Sequence, residues 1–187
     1  MEISQKGLDL IKSFEGCRLT SYQDAGGVWT IGYGHTGNVA PFTAITQQQA
    51  DAFLRYDLRN AEKYVNKYNN VYHFTQGQFD ALVSFTYNAG AGNLKKLLNG
   101  GNKPIELVKL DLPETCIRAK GKVLKGLIRR REAEANLMGD YKKDTETIVY
   151  EVIARMWGDG AERKKRLTDA GYDYRTIQDE VNKRVKK

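Results

Sequence analysis

The sequence predicts an α+β chain: a mainly helical domain with a small β-hairpin region, followed by a small three-helix bundle. Apolar residues recur at helical spacing through most of the chain, whereas one glycine-rich stretch near the N-terminus is built from Thr, Tyr, Val, Trp and Ile. A polar segment without apolar period separates the last three helical stripes from the rest. With 187 residues, 41% of them hydrophobic, the chain can bury one good core and a small satellite. Its 18 Gly and 3 Pro exclude collagen-like and low-complexity classes. No apolar run approaches the roughly 20 residues of a membrane span.

Each element has its own signal. Ile3, Leu8, Ile11 and Phe14 share a face, so residues 4–14 read as an amphipathic helix that stops near Gly16. Residues 18–37 read as an antiparallel hairpin region turning at Gly26-Gly27. Thr46 with Gln49 is a capping-box pair ahead of a long helix running from Ala50 to Tyr68. Thr75 with Gln78 repeats the signal and opens a helix that turns Phe79, Leu82, Val83 and Phe85 to the core and ends at Gly90. A short helix follows at Leu94–Leu98, another starts near Pro104, and Leu127–Met138 closes the domain. These signals divide the chain into a domain over 1–140, a linker over 141–147, and a three-helix unit over 148–187. That unit lies near the lower size limit for autonomous folding, so its core has to be compact.

The net charge of +7 suggests a polyanionic partner without choosing among nucleic acid, anionic lipid and an acidic wall polymer. Residues 144–187 hold ten basic and nine acidic side chains, so the tail is nearly neutral. Much of the excess lies in Arg118, Lys120, Lys122, Lys125, Arg129, Arg130 and Arg131, with no acid between them. Cys17 and Cys116 lack the spacing of a metal site and read as unpaired thiols; no metal or other cofactor is expected.

Chemistry concentrates in residues 15–35. Glu15 ends the first helix, and Asp24 stands just before the Gly26-Gly27 turn. Two carboxylates on different elements, joined by a sharp reversal, can face each other across a cleft. This is the minimum needed to break a glycosidic bond, one group protonating the leaving oxygen and the other activating water or attacking the sugar. Solvated surface acids would look the same by spacing alone.

The wider pattern F-E-G-x-R-L-x-x-Y-x-D-x-x-G-V-W-T-I-G-Y-G-H-T over residues 14–36 resembles the catalytic segment of phage-type lysozymes, glycoside hydrolase family 24. The likeness continues in Ser84-Phe85-Thr86-Tyr87-Asn88-Ala89-Gly90-Ala91-Gly92 and in Gly126-Leu127-Ile128-Arg129-Arg130-Arg131-Glu132-Ala133-Glu134, covering about residues 3 to 138 in order. It implies a lysozyme-like fold and muramidase activity, the hydrolysis of the β-1,4 bond between N-acetylmuramic acid and N-acetylglucosamine in peptidoglycan. By the same resemblance Glu15 is the general acid, Asp24 the second carboxylate and Thr30 the holder of the attacking water. Phe14 beside Glu15 is expected to desolvate it in part. Inversion at the anomeric carbon, expected for the family, needs the carboxyls about 6.5 to 9.5 Å apart. Trp29, Tyr33 and Tyr87 either line the cleft for stacking on sugars or pack. Asn88 either bonds an acetamido group or ends its helix. His35 is implied to be structural. Residues 109–123 do not align with the family.

In the tail, W-G-x-G-x-x-R-x-x-x-L-x-x-A-G-Y-D-Y from Trp157 to Tyr174 resembles the cell-wall-binding repeats of some phage lysins, the Cpl-seven type. This implies a wall ligand, with Arg163, Tyr172 and Asp173 as contacts. The partner expected is bacterial peptidoglycan, without nucleic acid or membrane, and the chain is expected to be a monomer. Met1-Glu2-Ile3-Ser4 lacks a basic segment before an apolar one, so no signal peptide is expected; the protein would be made in the host cytoplasm and act on the wall after release. A wall binder without activity, or a lytic transglycosylase on the same bond, is the alternative. Thr30 favours hydrolysis.

Overall fold

The computed structural model describes residues 1–139 and 144–185; of the expected linker, residues 141–143 lie outside the described residues. By spatial packing the chain forms two compact units, Met1–Ala91 and Gly92–Lys187. Both expected boundaries, at 140/141 and 147/148, therefore lie inside the second unit. One side chain from before these boundaries, Leu107, shares the buried cluster of the last three helices.

In the first unit, α1 (Gln5–Glu15) starts at Ser4, whose hydroxyl accepts from the Gly7 amide. Asp80, 1% exposed, anchors that start: it accepts from the Ser4 amide at 2.9 Å and from the Ser4 hydroxyl. Gly7 is where α1 meets this acid, since a Cβ there would lie 2.7 Å from Ile3 and 2.8 Å from Asp80. Gly16, at φ 68°, reverses the chain after Glu15 and leads it into β1 (Arg18–Gln23). β1 pairs antiparallel with β2 (Trp29–Gly32), matching Tyr22 to Thr30 and Gln23 to Trp29. Residues 43–45 lie along the other edge of β1, through Ser21 N to Thr43 O at 2.8 Å and Ile45 N to Leu19 O at 2.9 Å.

α2 (Gln47–Asn66) ends two residues before the expected Tyr68, because the chain breaks and re-forms as the one-turn α3 (Asn69–Tyr72). It packs on β2 and on α4 (Gln76–Ala89), which also packs on α1. Both expected capping boxes form. Thr46 N donates to Gln49 Oε1 at 2.8 Å and Thr75 N to Gln78 Oε1 at 3.0 Å, each answered by the Gln amide on the Thr hydroxyl. α4 is buried throughout Gln78–Thr86, as befits a central helix with apolar residues on most of its faces.

The second unit begins with α5 (Ala91–Leu97) and a 3-10 turn at Asn99–Gly101. Next come α6 (Ile105–Asp111) and a second 3-10 turn, Leu112–Glu114, against which α7 (Lys125–Leu137) packs. Between them lies a hairpin that sequence reading missed, β3 (Arg118–Ala119) with β4 (Lys122–Val123). Its turn residues Lys120 and Gly121 have φ 48° and 78°, the two positive values a two-residue hairpin turn requires. The cationic stretch is less uniform than its sequence suggests. Arg130 and Arg131 are buried, and both pair with the fully buried Glu134, at 3.2 and 2.9 Å. Burial pushes the Arg131 guanidinium below its ordinary value, with Glu134 opposing.

α8 (Thr145–Ile153), α9 (Gly160–Asp169) and α10 (Tyr174–Val185) make the expected three helices. Their core is Ile148, Val149, Val152, Trp157, Leu167, Ile177 and Val181, and Leu107 of α6 is part of the same cluster. Trp157 is fully buried, its Nε1 donating to Glu151 at 3.0 Å and its ring meeting Tyr172 edge-on.

Candidate active site

The hairpin turn is organised by Asp24. Its Oδ1 accepts from the amides of Gly26 at 2.8 Å and Val28 at 2.9 Å, while its backbone closes the reversal with Val28 and Gly27. One carboxylate oxygen is thereby fixed in direction; Oδ2 has no hydrogen-bond partner among the described residues, and the side chain is exposed. Glu15 ends α1 and is also exposed.

Thr30 is 3% exposed, and its hydroxyl donates to Val28 O at 3.0 Å. With its hydrogen so used, the oxygen offers only lone pairs to a further partner. Side chains alternate along a strand, so Trp29 lies on the opposite face of β2 from Thr30 and does not share its recess.

Tyr33 is buried, not a free cleft wall. Its hydroxyl accepts from Gln47 Nε2 at 2.9 Å; Gln47 also donates to Asp51 at 2.9 Å, and Lys12 pairs with Asp51 at 2.8 Å. Burial pushes the Tyr33 phenol above its ordinary value of 10.0, against the Gln47 hydrogen bond and the Lys12 charge. The Lys12 hydrogen bond holds Asp51 below the usual carboxylate range. This support network, one helical turn before Glu15, was not read from the sequence; its only trace there was Lys12, the basic residue in the last turn of α1. Tyr87 Oη donates to Tyr33 O at 3.3 Å, so Tyr33 and Tyr87 do meet, whereas Asn88 is exposed at the end of α4.

His35 has a full structural complement: Nδ1 lies 3.0 Å from each Asp57 oxygen, Nε2 3.0 Å from Gly37 O, and the ring stacks on Phe53. Cys17 and Cys116 are both free. Among the described residues no group of three or more His, Cys, Asp or Glu is disposed to hold a metal ion.

In the tail, Arg163 ties the loop before α9 to α10, donating to Gly158 O, Gln178 Oε1 and Asp159 Oδ1 at 3.1, 3.1 and 2.9 Å. Asp173 caps α10 through Arg175 N at 2.8 Å and remains exposed. Tyr172 packs on Trp157.

A family model described as phage lysozyme matches residues 12–134, and one described as the CW_7 repeat matches 146–185. An endolysin of Acyrthosiphon pisum secondary endosymbiont phage 1 is 41% identical over 143 residues, which cover 73% of this chain and 97% of the relative. The endolysin of Bacillus phage B103 is 43% identical over 148 residues, again 73% of this chain but only 54% of the longer relative. Among solved structures, the muramidase domain of SpmX from Asticaccaulis excentricus superposes with a TM-score of 0.64 at 38% identity, covering 74% of this chain and 97% of that one. These matches settle the family: the chain belongs to the phage lysozyme family of peptidoglycan-cleaving glycoside hydrolases and carries a C-terminal cell-wall-binding repeat.

Proposed function

We propose that the protein is a muramidase that hydrolyses the β-1,4 bond between N-acetylmuramic acid and N-acetylglucosamine with inversion, using Glu15 as acid and Asp24 as base. The observation that carries this reading is the Asp24 turn, in which two backbone amides hold one oxygen and leave the other to a ligand. In the reaction Glu15 gives its proton to the leaving glycosidic oxygen. A water on the opposite side of the sugar gives one proton to Asp24 Oδ2 as it attacks the anomeric carbon. Its other hydrogen needs an acceptor, and the Thr30 hydroxyl, already donating to Val28 O, is of the right kind. Glu15 being exposed in the free protein, bound glycan supplies the desolvation that suits an acid to this step.

Tyr87 and Asn88, at the end of α4, are the side chains that meet substrate, with Tyr33 bracing Tyr87 from behind. Residues 1–140 form the lytic module, 141–147 the linker and 148–187 the wall-binding module. The remaining donors of Arg163, the second oxygen of Asp173 and the exposed edge of Tyr172 face the wall ligand. The protein acts as a monomer.

Clearing of purified cell walls tests the assignment. Glu15→Gln should slow clearing about 100- to 10,000-fold at unchanged wall binding. New reducing ends should appear in place of anhydro products. Clearing by Glu15→Gln at the wild-type rate would remove Glu15 from the mechanism.

A further inference from the structure

Phe42 is the most exposed large apolar residue described, at 97%, and its backbone sits at φ 57° in the left-handed region. It occupies the third position of the turn Ala40–Thr43, after Pro41, where a positive φ ordinarily calls for Gly or Asn. A bulky residue there is strained, and full exposure means that no burial offsets the strain. The residue is not adrift: Thr43 Oγ1 holds Ala40 O at 2.8 Å, Thr43 N holds Ser21 Oγ at 3.0 Å, and the strand that follows is bonded to β1. The Phe42 ring stands 6.4 Å from that of Trp29, tilted by 49°. Val28, also exposed, precedes Trp29 in sequence. This aromatic pair is on the face of the ribbon away from Thr30.

The charge pattern selects the occupant. Residues 19–31 and 37–46 contain no Lys or Arg, and their one acid is Asp24. An anionic lipid or phosphate-rich polymer finds no attraction there, whereas the apolar face of a neutral pyranose ring stacks on aromatic rings and finds hydroxyl and amide partners in Ser21, Gln23 and Thr43. The same ribbon carries Thr30 on its opposite face and Asp24 at its turn, so the patch lies near the site without sharing its face, and the substrate is a polymer long enough to reach beyond a cleft.

We propose that Phe42 and Trp29 form a second saccharide-binding platform that holds a glycan strand of peptidoglycan outside the catalytic cleft. The proposal rests on the Glu15, Asp24 and Thr30 assignment only for where the cleft lies. It predicts a split between polymer and fragment. In the full-length protein, Phe42→Gly should raise the apparent KM for intact walls about three- to tenfold, leave kcat and the cleavage of short soluble glycan fragments within twofold, and raise the melting temperature by relieving the backbone. Phe42→Tyr, which keeps the ring, should behave like wild type on both substrates.

Pelleting with walls in a Glu15→Gln background should show the same several-fold loss on adding Phe42→Gly, independently of turnover. An unchanged KM and unchanged pelleting for Phe42→Gly would overturn the platform, as would an equal loss on short fragments. Loss of binding to anionic vesicles with wall binding intact would overturn it in favour of a lipid surface. Should Glu15→Gln prove fully active, the cleft assignment falls, while pelleting still decides the platform.

Discussion

Single side chains here carry loads that their types do not announce. Tyr33 illustrates this: its type leaves cleft wall and packing both open, and the fold makes it a buried bracing group linked to Gln47 and, through it, to Asp51 and Lys12. Its raised pKa has a sign for stability. The fold binds the phenolic proton more tightly than the unfolded chain does, so the contribution is complete below about pH 10 and is lost as pH rises through the folded value. Tyr33→Phe should be less stable at pH 8 by about 1 kcal/mol, having lost one hydrogen bond. It should also lose less melting temperature than wild type between about pH 9 and 11, which thermal unfolding across that range would show. An equal alkaline loss in both proteins would mean that Tyr33 is not the group responsible. At this scale Glu15 and Asp24 stand out in the sequence only through the motif that surrounds them, because spacing alone looks the same for solvated surface acids. The Arg130, Arg131 and Glu134 triad was not legible, because a charged run on a helix looks alike whether water or protein surrounds it.

Elements were legible where the signal was local. The capping boxes at Thr46 and Thr75 need only side chains three residues apart, and both form with the expected partners. Removing one should weaken its helix: Thr75→Ala should cost about 1 kcal/mol in chemical denaturation, and Thr75→Ser should restore most of it. A Thr75→Ala protein as stable as wild type would show that burial of α4 alone sets its start. The β3–β4 hairpin escaped detection for the converse reason. Each strand has two exposed residues, so there is no alternation to see, and the only cue was Lys120-Gly121 at a turn. For Trp29 residue type leaves cleft and packing both open, and strand alternation, a property of the whole element, puts it on the face away from Thr30.

For the whole molecule, length and composition bound the class without choosing the partner, and the surplus of positive charge in residues 1–143 suits an anionic wall. Division into parts was less legible, because apolar pattern marks which side chains are inside without saying which neighbour they meet. Leu107 is the case in point, since it belongs to the core of the last three helices. Leu107→Ala should therefore destabilise that bundle by about 2 to 5 kcal/mol. With Trp29→Phe as background, Trp157 is the remaining indole and its emission reports the bundle directly. An unchanged midpoint would mean that the bundle folds without α6. A wall-binding repeat cut at residue 144 and spliced onto another carrier leaves Leu107 behind. A graft has to bring a surrogate for Leu107 or replace the apolar surface it covers with polar side chains, and a lytic fragment ending at residue 139 needs the reciprocal repair at position 107.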